Sequence, residues 1–502
     1  MSKYKKPKEA HLLLFFNSLL IGNLRRSKSG RVTFKYADKF LDKNLNLIAS
    51  MPPLHYEYGP DKVLPFLENF IPESKELRAE LEKKYKIEKD DIFALLEIIG
   101  KDVGGAFIFL SAEDYHPSFF AKAHLHHLSE SNLYDMLSDL SLAYPQGNTF
   151  LGGDISKYQL SLGGMQEKTA VFILDGAIYK PSGFLPSTHL IKPTIKNKVD
   201  GYDFKDSVDN EWCCLFIFKK FGFDTAEAFI KVVKSSAPDR EPIRALFVER
   251  FDRKWVDLSK LDRKLSVEVE FSEGSALTDI KKKALQENVS RSLNKKFPYR
   301  RLTEDLCQFF GLSPDKKYEK DGGKTISEIA KLLDVSLANE DKRTFLTSLL
   351  MMDILLNTDA HNKNFCLFKL TKGFHLTPFY DVLSLHFLHI KHKAQKNKLK
   401  LPYKIGAISK ALPSLKVRPS KGKHGYMDVT WRHYRDTFLD AGLSVNEYND
   451  VITELKEKVD NFSYDQSELD PNLNLETLEY IVQGMKERAE YLLKTQNTER
   501  HQ

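Results

Sequence analysis

The chain opens on short apolar runs separated by turn residues. Residues 12–16, a turn at Asn17 and Ser18, residues 19–24, a loop closing at Gly30 and residues 32–36 read as a small β meander. Between residues 60 and 105 the apolar positions take helical spacing, through Val63, Leu64, Leu67 and Phe70 and again through Ile92, Leu95, Leu96 and Ile99. Asp90 and Asp91 suit the start of the second of these helices, because carboxylates favour the positive N-terminus, and Gly100 with Gly104 and Gly105 ends it. A polar stretch follows. A second β-rich region runs from about Gly152 to Phe251, with strands predicted at 170–174, 177–180, 189–192 and 246–250 and a helix at 209–221 that stops at Gly222. Residues 256–298 are rich in Lys, Glu, Ser and Asp and poor in aromatics, which predicts a solvated insertion. From Thr303 the pattern is helical, at 304–310, 326–333, 341–356 and 475–494. No internal repeat is visible.

Composition changes this picture little. The 502 residues are 42% hydrophobic and 29% charged, as in a soluble globular protein with room for two or three domains. Lys3, Lys5, Lys6 and Lys8 before the apolar residues 12–21 imitate a signal peptide, but Asn17 and Ser18 break the run and no small-residue cleavage site follows. No apolar stretch approaches the roughly 20 residues that span a bilayer, so a cytoplasmic protein is expected. Cys213, Cys214, Cys307 and Cys366 lack metal or redox spacing and sit among apolar residues, which predicts buried thiols in a reducing compartment.

The strongest chemical signal is Asn357-Thr358-Asp359-Ala360-His361-Asn362-Lys363-Asn364. Asp359 and Asn364 are five apart, the spacing of a kinase catalytic loop, in which the carboxylate accepts the substrate hydroxyl's proton and the amide oxygen holds magnesium. Alone, the pair also fits a polar turn. Two predicted strands follow, at 365–368 and 373–376, and then Asp381, 17 residues past Asn364, where a kinase places its second magnesium carboxylate; a simple capping role is the bland alternative. Upstream, Gly163-Gly164-Met165-Gln166-Glu167-Lys168 would let backbone N–H groups approach phosphates, or would be an ordinary hairpin turn. Lys192 ends a predicted strand, where it can pair with nucleotide phosphates, and Glu211 on the next helix can hold it. Glu249-Arg250-Phe251 follows a strand and can serve as the hinge for adenine. The order of these parts, rather than any one of them, points to a kinase.

At this point the sequence resembles the HipA family. The resemblance runs from about Leu12 to the C-terminal helices. It rests on Gly164–Ala170, Ser187–Lys192, Ser207–Glu211, Val248–Arg253, Glu304–Gln308, Lys317–Glu319 with Gly322 and Gly323, Thr358–Phe365 and Leu376–Val382. It implies an α+β, protein-kinase-like bilobal fold, with a β-rich N-terminal subdomain and N-lobe and a mostly helical C-lobe. The implied division is 1–150 for the N-terminal subdomain, 151–255 for the nucleotide-binding N-lobe, 256–298 for a surface insertion and 299–502 for the catalytic C-lobe. The resemblance further implies ATP and Mg2+ as cofactors. Gly163 to Lys168 would cover the phosphates and Lys192 would contact them. Glu249, Arg250 and Phe251 would hold adenine, and His361, Asn362, Lys363 and Asn364 would complete the site beside Tyr380, Asp381, Val382 and Leu383. Asp359 would be the base, with Asn364 and Asp381 on the metal. Ser161 falls where the family autophosphorylates. A phosphate there would repel the nucleotide and expel the loop.

Family members phosphorylate cytosolic proteins, aminoacyl-tRNA synthetases among them, and a HipB-like helix-turn-helix antitoxin that binds operator DNA neutralises them. A serine/threonine protein kinase toxin is therefore expected. A small-molecule kinase and a non-catalytic co-repressor are the rivals. Two departures stand out: Met165 replaces a small residue common in the loop, and the insertion is longer than usual. Residues 391–424 hold eleven Lys or Arg and no Asp or Glu. Lys416, Arg418, Lys421 and Lys423 among them could neutralise DNA phosphates without reading bases, or could be a merely solvated face.

Overall fold

The computed structural model describes residues 9–43, 45–113, 115–116, 119–120, 123–142, 168–195, 203–257, 296–370, 372–388, 400–408 and 420–497. Ser161, Gly163 to Glu167, Lys416, Arg418 and residues 258–295 of the expected insertion lie outside them.

The first sheet holds β1 (Ala10–Phe16), β2 (Leu19–Arg26), β3 (Val32–Tyr36) and β4 (Phe107–Ser111) in the order β3-β2-β1-β4. The expected meander is present, with Asn17 left-handed at its first turn. The fourth strand, which falls in the stretch read from the sequence as polar, is antiparallel to β1. It is buried at every position, so it lacks the alternation that marks a half-exposed strand. Helices Pro60–Glu68 and Ile92–Ile99 pack on this sheet. The Asp91 side chain caps the second by accepting from the Ala94 N–H at 3.0 Å.

A six-stranded sheet follows, made of β5 (Ala123–His127), β6 (Thr169–Leu174), β7 (Ala177–Gly183), β8 (His189–Pro193), β9 (Ala228–Val233) and β10 (Ile243–Glu249), ordered β5-β7-β6-β8-β10-β9. Asp175 and Gly176 both take positive φ, the geometry that a two-residue hairpin between β6 and β7 requires. Strand β10 lies between two cores. Ile243, Ala245 and Phe247 pack with the N-terminal sheet, whereas Leu246 and Val248 pack with the helical lobe. Both faces being buried explains its near-continuous apolar sequence.

Strands β11 (Arg253–Asp257) and β12 (Lys296–Arg300) pair with each other at the two ends of the expected insertion. A three-stranded sheet has the order β13 (Thr303–Asp305), β14 (Cys366–Leu370) and β15 (Gly373–Leu376). Glu304 and Asp305, expected to begin a helix, instead form strand β13. The helix is Leu306–Phe310, and its boundary is set by a capping box in which Asp305 accepts from the Gln308 N–H and Gln308 accepts in return. Helices Ser207–Lys220, Ile326–Leu333, Asp341–Ile354, Trp431–Asp440, Val445–Asp460 and Leu475–Asn497 build the helical lobe around Phe218, Leu350, Tyr434 and Leu478. Part of the basic stretch pairs as two antiparallel strands, β16 (Lys400–Ile408) and β17 (Ser420–Gly425). All four cysteines are buried and unpaired with one another. Among the described residues no helix is long and apolar enough to cross a membrane.

Candidate active site

Helix Asp341–Ile354 delivers the residues expected to form a catalytic loop. At its end Leu356 takes φ 58° while its side chain is buried in the helical core. The Leu356 and Asn357 N–H groups donate to the Asp353 and Met352 carbonyls, each at 2.8 Å. A bulky left-handed residue costs of order 1–3 kcal/mol and persists only where its surroundings hold it, as the core does here. Beyond it, Asn357 Oδ1 accepts from the Asp359 N–H at 2.9 Å, and Asn362–Asn364 form a single 3-10 turn. The Asp359 side chain remains 45% exposed at the cleft.

Asp381 arrives from another direction. Phe379 donates its N–H to the Asp224 carbonyl and accepts from the Ala226 N–H, both at 2.8 Å, which ties this strand end to the segment after helix Ser207–Lys220. Asp381 itself has φ 55°. Across the cleft, Lys192 on β8 shares a face with Leu190, while Ile191 packs into the N-terminal core. The Lys192 ammonium lies 2.7 and 2.8 Å from the two Glu211 oxygens and 2.8 Å from Asp381 Oδ1. Burial opposes the charge on Lys192, but Asp381 and Glu211 outweigh it and hold the ammonium protonated above its ordinary value. Burial likewise opposes the charge on Asp381, and Lys192 with Lys168 holds its carboxyl well below the usual range. Glu211, fully buried, is pushed upward by burial against the pull of Lys192. Burial pulls Lys168 downward, and Asp381 opposes that. Asp359 is pushed up by burial, and a hydrogen bond from Tyr318 opposes the shift.

A cleft of about 200 Å³ gathers most of the described residues assigned from the sequence to the nucleotide and catalytic site: Lys168, Lys192, Glu249, Phe251, Asp359, His361, Asn364, Tyr380 and Asp381. Phe251 and Tyr380, with ring centroids 5.3 Å apart and planes tilted by 41°, form one apolar wall. Others are placed differently. Arg250 borders the cleft, but its guanidinium is committed to Asp252, Ser187 and the Val103 carbonyl. The Lys363 ammonium is held at 2.7 Å by both Asp305 and Asn69. Asn362 is fully buried and accepts from the Tyr403 hydroxyl at 2.8 Å, away from the cleft lining. Val382 belongs to the helical core and Leu383 does not border the cleft. Strand-end residues alternate in direction, so residues beside a site residue often face the core.

Asn69, Glu73, Gly104, Gly105 and Lys317 also line the cleft, and Tyr318 reaches it by donating to Asp359; none of them was given a role in the site from the sequence. Glu73 pairs with Lys317 at 2.7 Å, so the N-terminal part of the chain reaches the site directly. Of these residues, Lys317 and Tyr318 alone fall within a family-like motif.

The donor set fits nucleotide and metal. Asn364 and Asp381 offer the hard oxygens that magnesium prefers. His361 is kept neutral by burial and by Lys317, which push it down to about 3. Its buried Nδ1 has no hydrogen-bond partner among the described residues, as suits a ligand contact.

A model of the HipA-like C-terminal domain family matches residues 160–462, and one of the HipA N-terminal domain matches residues 12–110. Y4mE of Sinorhizobium fredii, a protein named as a candidate kinase, is 25% identical over 380 residues, covering 74% of this chain and 77% of its own length. The serine/threonine-protein kinase toxin HipA of Shewanella oneidensis is 25% identical over 347 residues, 66% of this chain and 65% of that protein. In structure, the chain is similar to one solved in the complex of HipA, HipB and operator DNA from Shewanella oneidensis MR-1. The TM-score is 0.65 at 20% identity, covering 96% of this chain and 97% of that one.

Proposed function

Since this chain belongs to the HipA family, more than half of it being matched by the family's C-terminal domain, we propose that it is a serine/threonine protein kinase toxin that uses ATP and Mg2+. One observation carries the reading. Lys192 is clamped between Glu211 and Asp381, facing a partly exposed Asp359 across one cleft. A non-catalytic co-repressor has no need of that buried charge cluster.

In this reading Lys192, held by Glu211, binds the nucleotide phosphates, and Phe251 and Tyr380 wall the adenine. Asp359 accepts a hydrogen bond from the substrate hydroxyl. The hydroxyl oxygen bonds to the γ-phosphorus, the bond to the ADP oxygen breaks, and the proton passes to Asp359. Asn364 and Asp381 would hold magnesium, which supplies charge neutralisation on the phosphates. The division of the chain at about residues 150, 255 and 298 is part of the same reading. So are cytoplasmic residence, a protein substrate of the aminoacyl-tRNA synthetase kind, a HipB-like antitoxin, and self-inactivation at Ser161.

Intact-mass and peptide mapping after incubation with ATP and Mg2+ tests this reading. One added phosphate on Ser161, absent in Asp359→Ala, is expected. Phosphate at Ser161 in both proteins would refute Asp359 as the base.

The β16–β17 strand pair carries Lys421 and an exposed Lys423. In the antitoxin complex, Lys421→Glu with Lys423→Glu is expected to weaken operator binding equally for specific and unrelated DNA. The slope of log affinity against log salt should fall by about 2, one for each phosphate left without its lysine. Anisotropy titrations across a salt series measure this, and an unchanged slope would remove the strand pair from the DNA interface.

A further inference from the structure

We propose that Tyr318 is a positioning residue for Asp359: its phenol donates to one carboxylate oxygen and so aims the other at the substrate hydroxyl. This rests on the reading of Asp359 as the base.

The contact joins residues 41 apart, with Tyr318 Oη 2.5 Å from Asp359 Oδ1. An aspartate carboxylate turns broadly about its last torsion, with a roughly two-fold preference. Tying down one oxygen leaves the other a single direction. Phosphoryl transfer is governed by positioning, so that direction matters to the rate.

Tyr318 is itself held from several sides. The Asn362 N–H donates to the Lys317 carbonyl at 3.1 Å, which docks this segment on the catalytic loop. The Gly323 and Asp321 N–H groups donate to the Tyr318 carbonyl at 2.9 and 3.0 Å. A Cβ at Gly323 would lie 2.8 Å from that carbonyl oxygen and 2.7 Å from that of Lys316, so the turn closes this tightly only with glycine. Glu319 accepts from the Lys404 N–H at 2.8 Å, anchoring the next residue to β16. The Tyr318 ring meets His361 edge-on at 5.0 Å.

The other groups facing Asp359 are less suited to aim it. Lys317 is engaged by Glu73 at 2.7 Å. His361 Nε2 stands 3.8 Å from Asp359 Oδ1, beyond hydrogen-bond reach. Asp381 and Glu73 carry the same charge as Asp359. Burial and the Asp359 charge keep the Tyr318 phenol protonated, so it can only donate to the carboxylate.

The opposite reading makes Tyr318 a plug that occupies the substrate's place, and it predicts a change of opposite sign. The test uses the full chain as wild type, Tyr318→Phe and Asp359→Asn. It measures single-turnover transfer of labelled γ-phosphate from ATP to the protein itself, half-saturation by ATP and the thermal midpoint. Tyr318→Phe keeps the ring and its packing. It should slow transfer about 10–100-fold and leave half-saturation and midpoint unchanged. An unchanged rate would overturn the proposal, and a faster one would establish the plug. Slowing that comes with a shifted midpoint or half-saturation would make the role structural and would also overturn it. Absence of transfer by wild type would remove the kinase reading and this inference with it.

Discussion

Asp359→Asn is expected to slow phosphoryl transfer by about 10²- to 10⁴-fold, the usual contribution of a general base, with ATP affinity nearly unchanged. The amide has the carboxylate's shape and can still accept from the Tyr318 hydroxyl, so the loop should keep its geometry. What it lacks is the negative charge that draws the substrate proton. Stability should hold too, because the Asp359 side chain is 45% exposed and is not the sole partner of a buried cation. ATP should still bind, because the charge cluster of Lys192, Glu211 and Asp381, proposed to meet the phosphates, stands on other elements. Single-turnover transfer and nucleotide titration on the same preparation separate these effects. A variant that keeps more than about a tenth of the wild-type rate would contradict a base role.

The largest loss of stability is expected from Asp102→Asn, about 3–5 kcal/mol, the cost of leaving buried charges without their partner. Asp102 accepts from the Ser187 N–H at 2.9 Å and faces Arg253 at 3.1 Å, Arg300 at 3.5 Å and Arg250 at 3.7 Å. Arg300 is completely buried. Without the Asp102 charge, Asp252 would be the carboxylate left among the described residues to face Arg250 and Arg253, at 2.8 and 3.0 Å. The cluster also joins the turn before β4 to the segment after β10. The Gly105 N–H donates to Asp252 at 2.7 Å, and Arg253 donates to the Gly105 carbonyl at 2.8 Å. Burial works against the Asp102 charge, but the three guanidiniums hold its carboxyl below the ordinary value. A carboxyl lowered on folding stabilises the protein above the unfolded value of about 4. That stabilisation is lost as pH falls through the lower, folded value. Denaturant midpoints measured across acidic pH should therefore fall less steeply for Asp102→Asn than for wild type. Parallel curves would mean that the cluster contributes no proton-linked stability.

Periodicity makes some elements legible and hides others. The hairpin of β1 and β2 and the helix Ile92–Ile99 follow from short apolar runs broken by turn residues and from helical spacing with a capping aspartate. Strand β4 is hidden because all five positions are buried, which erases the period. The pattern places helix Leu306–Phe310 two residues too early because Glu304 is a good helix former, whereas its side chain is buried, accepting from the Ala49 N–H at 3.2 Å and facing Lys369. Helix Glu130–Leu142 lies in a stretch that reads only as polar, yet its Leu133 and Leu137 are buried in the N-terminal core.

What a few neighbouring residues can decide is legible along the chain. Asp359 and Asn364 share one loop, and their spacing follows from a single turn after a helix. The order of kinase parts was also readable, because order along a chain is a property of the chain. Which side chains meet depends on the packed fold. Lys192 reaches Asp381 across 189 residues, Lys317 reaches Glu73 across 244, and Lys363 is taken by Asn69 across 294. The reason is physical. Hydrophobic burial is non-directional, so a pattern states which face goes inward but not what it meets there. The charges follow the backbone to wherever that packing carries it, and their partners are set by long-range geometry that no local window contains.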